Sequence, residues 1–97
     1  MKVRLENDEI RIIKEVISEF DRNAEIYIFG SRVDLGKKGG DIDILVLSDR
    51  IDWKKRRKIK VSLIEKLGDR KIDLIVARKD EKDNPLVELA IEEGVRV

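Results

Sequence analysis

Three aspartates interrupt runs that are otherwise apolar. Asp41 and Asp43 flank Ile42 in Asp41-Ile-Asp-Ile-Leu-Val-Leu47, and Asp73 breaks Ile72-Asp-Leu-Ile-Val76. Residues two apart in a strand point to one face, so Asp41 and Asp43 are expected side by side while Ile42 and Ile44 face the core. Neighbouring strands lie ~4.8 Å apart, close enough for a second strand to bring Asp73 against that pair. Two carboxylates ~4 Å apart repel by about 4 kcal/mol at an effective dielectric of about 20, and a coordinated cation removes that penalty. The chain has no His and no Cys, so a metal here must be oxygen-bound, of the Mg²⁺ or Mn²⁺ kind. Two Mg²⁺ ions bridged by carboxylates suit in-line phosphoryl transfer: one activates the attacking oxygen and the other stabilises the leaving pyrophosphate. A carboxylate can serve as the base, so the missing His is no obstacle.

Gly30-Ser31 fits the same chemistry. Glycine lets a phosphate approach the backbone with no Cβ in the way, and a turn starting at Ser31 would aim N–H groups and a hydroxyl at phosphate oxygens. Arg32, Lys37 and Lys38 add positive charge nearby. Each feature alone has a plainer reading. Asp-x-Asp is commonly a solvated strand end, Gly-Ser a turn, and Asp73 a strand-edge acid paired with Lys71. Their joint occurrence, in this order and in strand context, favours function.

The elements that must position these residues follow from periodicity. Ile10, Ile13, Ile17 and Phe20 recur at helical spacing over 6–22, with Asn7 or Asp8 as cap. Strands are expected at 25–29, 42–47 and 72–76. Ser31 would cap a short turn to about Leu35, and Gly36-Lys-Lys-Gly-Gly40 is a connector. Asp52 caps a helix over 53–67 that ends at Gly68. Pro85 suits the first turn of a last helix ending at Gly94, and Val95-Arg96-Val97 is a short strand. The order implies an α/β fold, a small mixed sheet with helices packed on it.

With 97 residues, residues 1–97 are expected to form a single domain burying roughly 60–65% of its unfolded surface. Charge is dense but balanced, 22 Lys plus Arg against 21 Asp plus Glu, which argues against binding nucleic acid by bulk charge. The lack of Cys excludes a disulfide scaffold. No apolar run approaches the ~20 residues of a membrane span, and the N-terminus lacks a signal-peptide core; a cytoplasmic protein is expected, with no membrane partner. The 44% charged content, without Gln, Thr or Cys, resembles proteins from hot environments.

Phe29-Gly30-Ser31, nine intervening residues, Asp41-Ile42-Asp43-Ile44 and the later Asp73 together resemble the DNA polymerase β-like nucleotidyltransferase superfamily. The Gly-Ser-Arg form and the size resemble its minimal (MNT) group, found as antitoxins beside HEPN-domain toxins. Relatives commonly read Gly-Ser-Arg-Ala-Arg-Gly, whereas Arg32-Val33-Asp34-Leu35-Gly36 follows Ser31 here. The resemblance implies the polymerase β-like fold and transfer of AMP from ATP to a tyrosine of a HEPN ribonuclease partner. It also implies a triphosphate site at Gly30, Ser31 and Arg32. Asp41 and Asp43 would bind two Mg²⁺ ions, Mn²⁺ being possible, and Asp73 would complete one metal site and help activate the acceptor hydroxyl.

Two rival functions stand beside that one. One is a module that neutralises its partner by contact alone. The other is nucleotidyl transfer to RNA or a small molecule, for which relatives carry extra domains. Trp53-Lys-Lys-Arg-Arg-Lys-Ile-Lys60 is the one basic run, expected as a solvated helix face, with docking of an acidic partner or contact with RNA carried by that partner as the functional readings. Trp53 is expected to pack in the core or at the helix start. Ile59, Leu63, Ile64 and Leu67 are expected in the core.

Overall fold

A computed structural model describes residues 7–29, 42–68, 71–81 and 83–97. Among them the chain runs α1 (Asn7–Phe20), β1 (Glu25–Phe29), β2 (Ile42–Leu47), α2 (Trp53–Leu67), β3 (Ile72–Ala77), α3 (Pro85–Glu93) and β4 (Val95–Arg96). The four strands form one mixed sheet in the order β3-β2-β1-β4. β1 is antiparallel to both β2 and β4, and β2 pairs with β3 in parallel. A parallel pair needs a crossover, and α2 supplies it.

Alternation along the strands splits the core in two. Ile42, Ile44 and Val46 of β2 pack with Ile72 and Leu74 of β3 against Ile13, Val16 and Ile17 of α1 and Ile59 and Leu63 of α2. On the other face Tyr27, Leu45, Leu47 and Ala77 pack against Val87 and Ala90 of α3. Two helices therefore cover one face of the sheet and a single short helix covers the other.

The helix ends follow local chemistry. Asp52 accepts a hydrogen bond from the Lys55 amide and caps α2. Gly68 closes that helix at φ 86°, a left-handed conformation that a Cβ disfavours. Asn84 caps α3 ahead of Pro85, accepting from the Leu86 amide. Gly94 ends α3 where the chain turns into β4; a Cβ there would strike the Ala90 carbonyl oxygen and come within 2.8 Å of the Ile28 carbonyl oxygen.

Several expectations need correction. α1 stops at Phe20 rather than 22, because Asp21 leaves the helix and its carboxylate turns inward to Ser48. Ile64 is 41% exposed and Trp53 66% exposed. Successive helix positions advance by roughly 100°, which carries residue 64 off the arc of Ile59 and Leu63, and Trp53 sits at the first turn on that same outer side. Leu67 is half-buried against the core. β3 extends one residue further, to Ala77. The expected turn over 31–35 and the connector over 36–40 lie outside the described residues. Among the described residues no helix is long and apolar enough to cross a membrane.

Candidate active site

The sheet register builds the site. Phe29 of β1 stands opposite Asp43 of β2, and Asp43 stands opposite Asp73 of β3. Register partners on adjacent strands share a face, so Phe29, Asp43 and Asp73 form one row across three strands. The next row on that face is Tyr27, Leu45 and Ile75, and Glu25, Leu47 and Ala77 follow. Val87 and Ala90 of α3 pack among these apolar rows. Asp43 remains half-buried and Asp73 exposed.

An open cleft of about 430 Å³ surrounds the acidic row, lined by Phe29, Asp43, Asp73 and Ile75 together with Arg56 and Lys60 of α2. The two cations reach it round the edge of the sheet, where β3 has no further strand beside it among the described residues. Arg56 Nε donates to the Leu74 carbonyl oxygen at 3.1 Å, which satisfies an edge carbonyl and anchors the guanidinium at the cleft. A larger groove, about 540 Å³, runs along the outer side of α2 by Trp53 and Val61. Chemistry favours the smaller one, because it alone of the two gathers paired carboxylates with cations.

Of the residues expected in the site, Asp43 and Asp73 are brought together. Asp41, Gly30, Ser31 and Arg32 lie outside the described residues. Phe29 and Ile42, the described residues that border positions 30 and 41, lie at the end of the sheet that carries the acidic row. Among the described residues no three His, Asp or Glu side chains cluster to hold a metal. The donors present are carboxylate oxygens, the hard ligands that suit Mg²⁺ or Mn²⁺. Sequence reading missed Arg56 and Lys60 as cleft residues. Their four-residue spacing, flanking the core positions Ile59 and Leu63, was the available signal.

A second polar pair lies past the far end of β2. The Ser48 hydroxyl donates to Asp21 Oδ2 at 2.5 Å and accepts from the amides of Arg50 and Ile51. Asp21 also accepts from the Asn23 amide at 2.9 Å. Burial opposes ionisation of Asp21, but the Ser48 and Asn23 hydrogen bonds and the charges of Lys79 and Arg50 outweigh it and hold the carboxyl below its ordinary value. This pair ties the end of α1 to the end of β2 and serves the fold.

A mixed sheet with two acids in register on the central strand β2 and the edge strand β3, covered by helices on both faces, is compatible with a nucleotidyl-transfer domain. The family model described as "Polymerase beta, Nucleotidyltransferase" matches residues 11–97, and the chain belongs to that family. Among solved structures the chain is similar to the crystal structure of the toxin-antitoxin MntA-HepT, with TM-score 0.64 and 25% identity over 92% of this chain and 68% of that chain. No curated protein sequence matches.

Proposed function

We propose that this chain is the antitoxin of a toxin–antitoxin pair, and that it silences a HEPN-domain toxin by transferring AMP from ATP to a tyrosine of that partner. The observation that carries the reading is the register pairing of Asp43 with Asp73 in a chain of the polymerase beta nucleotidyltransferase family. The likeness to a toxin-antitoxin structure supports the choice of partner.

In this reading the tyrosine oxygen attacks the α-phosphorus of ATP, the bond from that phosphorus to the bridging oxygen breaks, and pyrophosphate leaves. The hydroxyl proton passes to a carboxylate, for which Asp73 is the candidate because it is the exposed member of the pair. Asp41, Asp43 and Asp73 would hold two divalent ions, which when bound supply charge neutralisation on the phosphates. Gly30, Ser31 and Arg32 would hold the triphosphate. Lys60 and Arg56 line the same cleft and offset negative charge that builds up there.

Intact-mass spectrometry tests the reading. The HEPN partner is incubated with ATP, Mg²⁺ and either the wild-type chain or an Asp41→Ala, Asp43→Ala variant. A gain of whole AMP units with wild type alone is expected. No gain, with the partner still inhibited by both forms, would replace the enzyme by a contact inhibitor.

A further inference from the structure

Helix α2 presents two unlike sides. Ile59 and Leu63 are fully buried, while Trp53 is 66%, Val61 50% and Ile64 41% exposed on the outer side. The helix carries seven Lys and Arg against one acid, Glu65, in a chain whose net charge is only +1. Positive charge is thus concentrated on one element and mixed there with large apolar side chains. A groove of about 540 Å³ runs along Trp53, Arg57 and Val61.

This surface is continuous with the cleft. At roughly 100° per residue, Arg56 and Lys60 flank the buried stripe, and Trp53, Ile64 and Arg57 come next round the helix. Arg56 and Lys60 line the cleft that holds Asp43 and Asp73. The cationic, apolar-studded face therefore begins at the lip of the carboxylate site.

We propose that the outer face of α2 docks an acidic protein surface bearing apolar anchors, and that this docking delivers the acceptor hydroxyl to the Asp43–Asp73 cleft; the delivery step rests on the transferase reading above. Charge complementarity names the occupant: interfaces match positive patches with negative ones, and buried aromatic and aliphatic anchors supply most of the binding energy. Nucleic acid fits less well. Val61 and Ile64 gain nothing from phosphates, and Lys54 Nζ lies over the Trp53 ring, 5.8 Å from its centroid, on a face that a stacked base would need.

The test titrates the HEPN-domain partner against wild type, an Arg57→Glu, Lys58→Glu variant and a Val61→Ser, Ile64→Ser variant. Calorimetry at low and high salt reads binding, and intact mass reads AMP transfer in the same samples. All four positions are exposed, so circular dichroism melts of the variants should match wild type; the apolar variant decides if charge reversal disturbs the fold. Binding at least tenfold weaker for both variants is expected, with wild-type binding weakened by salt and transfer recovered at saturating partner. Equal binding by all three forms, or none by wild type, overturns the docking surface. Binding differences without any transfer would keep the surface and overturn the transferase reading instead. A labelled single-stranded RNA that binds wild type and is lost on charge reversal, with partner binding unchanged, would make nucleic acid the occupant and overturn the proposal.

Discussion

Asp43 of β2 and Asp73 of β3 are direct register partners across the only parallel strand pair among the described residues. Parallel pairing through the α2 crossover sets two acids on one face of the sheet, in a row continued by Phe29. Like charges opposite one another destabilise a sheet. A cation, or the groups around a bound polyphosphate, would offset that repulsion.

Removing one of these acids should therefore separate stability from metal response. In the presence of EDTA, Asp73→Asn is expected to melt at or slightly above the wild-type temperature, because a repulsion is relieved. Mn²⁺ should raise the wild-type midpoint and leave the variant nearly unmoved. A wild-type melt indifferent to Mg²⁺ and Mn²⁺ would count against oxygen-bound metal at this row.

Asp21 gives a pH dependence of known sign. Its folded pKa is lowered, so as pH falls the unfolded chain takes up the proton first. The stability it confers is whole above the unfolded value of ~3.9 and is lost as pH falls through the folded value. Asp21→Asn should cost about 1–2 kcal/mol at neutral pH, and the gap should close at strongly acidic pH. Urea denaturation of both forms across that range checks it; an unchanging gap would assign the effect to packing.

Gly94→Ala should destabilise the fold by about 1–3 kcal/mol. Its added methyl group meets the backbone of α3 at Ala90 and of β1 at Ile28, neither of which yields like a flexible side chain. Chemical denaturation would show this as a lower midpoint at constant slope. Gly68→Ala differs in cause: no atom lies within 4 Å of the added Cβ, and only the φ of 86° penalises it.

Much of this was legible in the residues. The strands announce themselves because period-two alternation and apolar runs at 25–29, 42–47 and 72–76 have few other solutions. Asp43 and Asp73 stand out because each is an acid in such a run. Their mutual register is not local information; it depends on the length of the crossover and on how α2 seats Ile59 and Leu63 against the sheet. Ile64 misled for a related reason, since apolar spacing alone does not say where the buried arc ends. The Asp21–Ser48 pair had no signal, being two ordinary loop residues that meet only once α1 lies beside β2. Asn84 was readable as a cap beside Pro85 and was missed.

The most direct measurement is transfer of label from α-³²P ATP and, separately, γ-³²P ATP to the HEPN partner, with wild type, Asp43→Asn and Asp73→Asn. Label from the α position alone, abolished by EDTA and lowered at least a hundredfold by either substitution, is the predicted result. Label arriving from the γ position, or transfer undiminished in Asp43→Asn, would contradict nucleotidyl transfer at this row of acids.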